Sequence, residues 1–409
     1  MAEKKKLFIG IDLNQERAMV TLYHEGIAEM ETVSTIPGQN HYQIPLAVFC
    51  TGQGNYFYGD EAVKRRNRAD GTYFDDLYAQ SEDPEHVPHR NMLVQFLRRL
   101  LKFRERFADW ENMDSYLAVA VPEITDEIVA LFRFVREELE FLPERFQLMD
   151  YTESFFAYVY HQDPGIRLHD VALFDFRNDR IVCATIHSDG YGKIKRVSSD
   201  KKEWTVPDYL LAQDEGKDEF FANVVRETFA KKIISGVYLI GDGFDGAWMQ
   251  ESLRVIGPNK RVFKGKNSYT MGACYAGYRN VVTDGWQYYY DAAYKLQGEL
   301  SLKAMRRGEP CFLRLTQLGE NWFTPTETFY FLYDGDPVIE TRIRVRRQMS
   351  AKIESFTLDY LPECPPGSIR LGVQAVPVSG NRVVLRVWDD GFGELYESTG
   401  KVWEFPLEL

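Results

Sequence analysis

The chain is poor in the features that define several large protein classes. Its 409 residues include five cysteines, Cys50, Cys183, Cys274, Cys311 and Cys364, and no two form a CxxC pair. That spacing argues against a disulfide framework and the usual zinc modules, and it suits a reducing compartment. No stretch approaches about eighteen uncharged apolar residues, so no membrane-spanning helix is expected. Basic residues are in deficit, 49 Lys and Arg against 61 Asp and Glu, for a net charge of −12. A chain of that sign is poorly matched to nucleic-acid phosphates or to an anionic membrane, and neither is an expected partner. The opening MAEKKKLFIGID has a basic run but too short an apolar stretch for a secretory signal. A soluble cytoplasmic protein is the simplest expectation. The motifs GxSxG, HExxH and GxxxxGKS/T are absent, and His86 and His89 sit in an acidic, Pro-containing loop that reads as surface.

What is present begins with ordinary globular material. Hydrophobic residues make up 44% and charged ones 27%. That suffices for two full cores, and the length suggests two to three domains. The order of apolar patterns then repeats. Residues 7–13, 17–24 and 27–36 read as strands, followed by a strand at 116–121, a helix in ITDEIVALFRFVREELEF, a short strand near Phe146–Met149 and a helix through Glu153–Tyr160. Strands at 170–176, 180–187 and 192–198 begin the same sequence again. A helix at 218–234, a strand at 237–240, a helix from about 246, a strand at 261–263 and a helix at 270–281 complete it. Each half reads β-β-β-α-β-α, a duplicated domain. The halves span 1–165, with an insertion at about 37–115, and 166–284. The insertion holds an amphipathic helix at Asn91–Phe107, whose basic face reads as solvated.

From residue 285 to 409 the texture changes to short alternating strands such as ETFYFLY, VIETRIRVR and RVVLRVWDDG, separated by Gly and Pro turns. An antiparallel β-sandwich is expected there.

Three strand ends carry polar or glycine-rich turns. IGIDLNQER places Asp12 where a carboxylate can hold a metal-bound water, with Asn14 and Gln15 in the following turn. LFDFRNDR places Asp175 at the equivalent point of the second repeat, with Arg177 beside it. LIGDGFDGAWM spells G-x-G-x-x-G through Gly241, Gly243 and Gly246, which would let a ligand approach a helix N-terminus. The acidic residue of a dinucleotide site is missing about twenty positions on, where the sequence is KGKN.

These motifs, in this order, resemble the superfamily of actin, sugar kinases and DnaK-type chaperone ATPases, and most of all the chaperones. IGIDL resembles their first phosphate motif, LFDF at 173–176 the second, and YLIGDG at 238–243 the adenosine motif. VAVPEITDEIVALF at 119–132 and MGACYAGY at 271–278 are similar to further chaperone segments, as is 361–401 to the last strands of the peptide-binding β-domain. The resemblance implies an α/β actin-like ATPase fold of two RNase-H-like halves, followed by the β-sandwich without a helical lid. It further implies ATP or ADP with magnesium as ligands not needed for folding. Asp12 and Asp175 would be the catalytic and metal-side carboxylates, and Asn14, Gln15, Arg177, Gly241, Gly243 and Gly246 would contact the nucleotide.

The sequence departs from the family at the phosphates. Asn14, Gln15, Glu16 and Arg17 stand in place of small residues, and Arg177, Asn178, Asp179 and Arg180 in place of the second glycine run. The phosphate-contacting Lys falls on Leu77, and Glu153 is a shifted match for the catalytic Glu. The interval from Asp175 to Gly241 leaves no room for the subdomain that clasps adenine. Three readings follow. The first is a DnaK-like protein with a degenerate cleft that binds a protein or peptide through the sandwich, with weak or no ATP hydrolysis. The second is an active Mg-ATP-dependent chaperone with a cradle of Gln15, Arg177 and Arg180, and the third a sugar-kinase-like phosphotransferase.

Overall fold

Apart from Gly10 and Asp12, the run Leu7–Leu13 is wholly apolar, and it forms a strand buried on both faces, β1 (Lys6–Leu13), at the centre of the first sheet. The computed structural model describes residues 4–409 except 28, 190–194, 283–284, 334–335, 346–349, 362–366, 368 and 394–396. Cys364, the first residues of the expected 192–198 strand, the expected boundary at Asp284 and parts of 361–401 therefore lie outside the described residues. The chain divides into two units, 1–288 and 289–409.

In the first unit β1 is followed by β2 (Arg17–His24), β3 (Glu31–Thr32), β4 (Asp114–Val121), α1 (Asp126–Glu138), β5 (Phe146–Asp150) and α2 (Tyr151–Tyr160). β2 runs antiparallel to β1 while β4 and β5 add in parallel, giving the order β3-β2-β1-β4-β5. α1 buries Ile128, Leu131, Phe132 and Val135, and Thr125 caps it by accepting the Ile128 N–H at 3.2 Å.

The second half runs β6 (Asp170–Arg177), β7 (Arg180–Asp189), β8 (Lys195–Thr205), α3 (Asp214–Phe229), β9 (Ile234–Ile240), α4 (Glu251–Ile256), β10 (Arg261–Gly265) and α5 (Ser268–Val281). Its strands take the order β10-β9-β6-β7-β8, with β7 antiparallel and β9 and β10 parallel. Both halves thus share one strand order and one set of strand directions, as a duplicated unit does.

Several expected bounds move. The strand at 27–36 contracts to Glu31–Thr32, because the Ser34 hydroxyl donates to the Ile36 and Gln39 carbonyls and turns the chain. The helix from about 246 begins at Glu251 and follows a tight turn at Asp242–Phe244, with Gly246 at φ 92° between them. The insertion helix is Val87–Leu101, and Lys102–Arg106 tightens into a 3-10 turn. Three of its basic side chains are engaged within the molecule, while Arg99 and Lys102 are exposed. Arg98 donates to the Glu138 carbonyl at 2.5 Å, Arg106 pairs with Glu31 at 2.8 Å, and Arg104 covers the Trp110 ring.

The last helix of each half packs on the other half. α2 sets Phe155 and Tyr158 edge-on against Tyr238 of β9. α5 lies on β1, where the Thr270 hydroxyl donates to the Gly10 carbonyl at 3.0 Å. The helices themselves touch at Gly272, where a Cβ would stand 1.9 Å from the Ser154 carbonyl oxygen. Only glycine allows that approach.

The second unit contains β11 (Gly298–Arg306), β12 (Glu309–Arg314), β13 (Thr328–Leu332), β14 (Val338–Val345), β15 (Lys352–Thr357), β16 (Arg370–Ser379), β17 (Arg382–Gly391) and β18 (Val402–Glu408). They form two antiparallel sheets, β12-β11-β14-β15 and β13-β16-β17-β18. Leu300, Leu302 and Ile343 of one share a core with Val373, Leu385 and Val387 of the other.

Candidate functional site

The ends of β1 and β6 bring the two expected aspartates to the seam between the halves. Asp12 is 1% exposed and Asp175 7%. Each accepts a hydrogen bond from a tyrosine hydroxyl of its own half, Tyr151 to Asp12 Oδ1 at 2.5 Å and Tyr269 to Asp175 Oδ2 at 3.3 Å. Tyr151 opens α2 and Tyr269 stands one residue into α5, at matching places of the repeat. The two rings stack on each other, 3.9 Å apart and 14° from parallel. The Arg177 guanidinium lies within 6.0 Å of both ring centres, and its Nε donates to Asp175 Oδ1 at 2.8 Å.

Burial dominates the titration of this cluster. It pushes the Asp12 carboxyl up to about 6, against the pull of Arg177 and the Tyr151 hydroxyl. Asp175 is also raised by burial, which Arg177 opposes. Burial holds both tyrosine hydroxyls well above their ordinary value, so they stay neutral donors. Arg177 remains a cation: its own burial works against the charge, and the Asp175 and Asp12 carboxylates outweigh it. Asp12 Oδ2 is buried with no hydrogen-bond partner among the described residues.

The remaining expected residues are placed as follows. Asn14 is buried; its Oδ1 accepts the Glu16 and Arg17 N–H groups at 2.9 and 3.0 Å, and its Nδ2 donates to the Tyr151 hydroxyl at 3.1 Å. Gln15 is exposed. Arg180 turns away and pairs with Glu203 on β8, so Gln15, Arg177 and Arg180 are not brought together. Glu153 is buried within α2, and Leu77 is fully buried. Gly241, at φ 95°, and Gly243 are pressed against Phe176. A Cβ on either would lie 2.2 Å from its carbonyl oxygen or 2.3 Å from its ring, so its own neighbour fills the close approach that a ligand would use. A Cβ on Gly246 would meet only Trp248.

The helix after the glycines is likewise satisfied from within. Asp218 of α3 accepts the N–H groups of Gln250, Glu251 and Ser252 at 2.7, 2.6 and 2.8 Å. Burial works against its charge, and the hydrogen bonds from Ser252, Glu251 and Gln250 win, leaving its carboxyl lowered. Across the seam, Arg17 Nη1 pairs with Asp242 Oδ2 at 2.7 Å, and Lys266 donates to Asp242 Oδ1 at 3.1 Å. Burial of Asp242 is overcome by these two cations, which bring its carboxyl down to about 2. Beside this latch an open groove of about 400 Å³ is lined by Phe176, Asn178, Asp179, Lys217, Asp242 and Gly243.

The residues present do not fit a magnesium nucleotide in this arrangement. A metal held near Asp12 and Asp175 would contend with the Arg177 cation already paired to Asp175. Phosphates would meet two buried carboxylates and a tyrosine stack. Among the described residues no group of three or more His, Cys, Asp or Glu could hold a metal ion.

Sequence reasoning missed Tyr151, Tyr269, Asp218 and the Arg17–Asp242 bridge. The tyrosines had a signal: Asp150-Tyr151-Thr152 and Ser268-Tyr269-Thr270 repeat the same Tyr-Thr pair at the start of corresponding helices.

Duplicated halves of this topology, meeting at one aspartate from each, make a single duplicated α/β unit. The chain belongs to the family described as "Family of unknown function (DUF5716) C-terminal", whose model matches residues 29–292, more than half its length. Residues 295–409 match a second model, "Domain of unknown function (DUF8552)". No curated protein matches the sequence. Among solved structures, a non-polymerising MamK mutant bound to AMPPNP is similar at 12% identity and a TM-score of 0.43, over 68% of this chain and 100% of that one. A likeness of that size carries nothing about ligand or activity here. Among the described residues no helix is long and apolar enough to cross a membrane.

Proposed function

We propose that this chain is a DnaK-like scaffold whose actin-like unit turns over little or no ATP and whose β unit binds another protein. The observation that carries the reading is the Tyr151–Tyr269 stack with the Arg177–Asp175 pair, standing between the two aspartates that would flank a nucleotide. Hydrolysis needs positioned donors around the transferring phosphoryl group and a metal held by carboxylates. Here the donors are spent on the carboxylates, Gly241 and Gly243 are covered by Phe176, and a helix N-terminus is capped by Asp218. The protein's own groups thus make the contacts a nucleotide would need.

Calorimetric titration of nucleotide-stripped protein with ATP and ADP, with and without magnesium, tests this. No heat of binding at micromolar nucleotide is the expected result. Micromolar, magnesium-dependent binding, with steady hydrolysis lost in Asp12→Ala or Asp175→Ala, would refute it.

The second reading, an active Mg-ATP-dependent chaperone or assembly ATPase, has one observation in its favour. The unpartnered Asp12 Oδ2 is a costly group to keep in a closed seam, and an opened seam would give it water or a cation. It requires the tyrosine stack to separate first. The same titration decides between the two.

A further inference from the structure

Among the described residues the two sheets of the second unit have four edge strands, and three carry the usual safeguards against pairing with another chain. β12 has Pro310 between Glu309 and Arg314 at its ends, β15 has Lys352 and Glu354, and β18 has Glu404, Pro406 and Glu408. The fourth, β13, reads Thr-Phe-Tyr-Phe-Leu, without a charge, a proline or a glycine. Its only strand neighbour among the described residues is β16. Phe329 and Phe331 pack into the core, while Tyr330 is 55% exposed and Leu332 58%.

Among the described residues the backbone of β13 has one unpaired side. The Tyr333 N–H donates to the Ile369 carbonyl at 2.8 Å in the register that pairs Phe331 with Leu371 and Phe329 with Val373. Antiparallel alternation then turns the N–H and C=O groups of Phe329, Phe331 and Tyr333 toward β16. Those of Thr328, Tyr330 and Leu332 face outward.

We infer that β13 is a self-association edge, pairing antiparallel with the same strand of a second copy of this chain about a two-fold axis through Tyr330. The strand is nearly palindromic about that residue, with Phe329 and Phe331 on either side, so one patch serves both partners as an isologous contact demands. With Tyr330 opposite Tyr330 and Thr328 opposite Leu332, all three outward residues fall in hydrogen-bonded pairs, allowing about six new backbone bonds. Phe329 then faces Phe331 of the other copy on the core side. Being uncharged, the strand meets its own copy without opposing like charges. This surface is independent of the state of the nucleotide seam, so it stands or falls separately from the proposal above.

Sedimentation velocity of the full chain from about 5 to 500 µM tests it, a range suited to a contact built on one strand pair. The expected result is a concentration-dependent shift from monomer to dimer, weakened at least about tenfold by Tyr330→Lys at an unchanged circular dichroism spectrum. Tyr330→Cys supplies a second readout that does not depend on affinity alone. Hydrogen-bonded antiparallel partners have Cα atoms about 5.5 Å apart, within disulfide range. Mild oxidation is therefore expected to cross-link this variant into dimers faster than the wild type, and faster than Thr328→Cys. A monomer throughout the range, a dimer untouched by Tyr330→Lys, or cross-linking no faster than wild type would overturn the inference. A monomer whose β13 is instead taken up by an unrelated extended peptide would overturn it as well.

Discussion

At the scale of the residue, the seam is defined by what its carboxylates accept. Asp12 has a folded-state pKa raised by burial to about 6 from 3.8. Between those values the folded chain holds a proton that the unfolded chain has released, so stability falls as pH rises through that window. Above it, keeping Asp12 charged costs on the order of 3 kcal/mol. Asp12→Asn keeps an oxygen for the Tyr151 hydroxyl and removes the charge. It is expected to raise the thermal midpoint at pH 8 and to give little gain at pH 4, as thermal melts across pH would show. A gain of equal size at both values would mean that charge burial is not the cause. Asp12 and Asp175 were legible as an equivalent pair because each ends the first strand of a repeat. Their hydroxyl donors were less so, since only the folded chain shows which side chain of a helix start reaches back to the strand.

The elements show where pattern reading succeeds and where it stops. Strands buried on both faces, such as β1 and β6, and amphipathic α1 announce themselves by apolar runs and period, and their order gave the duplication. Short elements held by distant partners do not. α4 begins at Glu251 because Asp218, about thirty residues away in sequence, satisfies its first N–H groups. The edge strand β12 went unread because EPCFLR sets Pro310 before three consecutive apolar residues and shows no alternation in sequence. The contact between α2 and α5 was also invisible, although MGACYAGY carries its small residues. With a Cβ placed 1.9 Å from Ser154 oxygen, Gly272→Ala must push the helices apart. A loss of about 1–3 kcal/mol in urea unfolding is expected. A variant as stable as wild type would show that the helices have slack the structure denies them.

On the scale of the whole molecule, two units with separate cores imply two unfolding events. Because unfolding enthalpy follows residue number, calorimetry is expected to show two transitions with heats in a ratio of roughly two to one. One transition satisfying the two-state criterion would show the units to be energetically inseparable. The tyrosine stack has a further consequence. Two separate half-length chains could build it only by meeting, at a rate set by their concentration. Joined in one polypeptide, the rings face each other at an effective concentration in the millimolar range. The seam therefore needs little intrinsic affinity to stay shut, and it can part and re-form as a reversible unimolecular event without either half ever losing its partner.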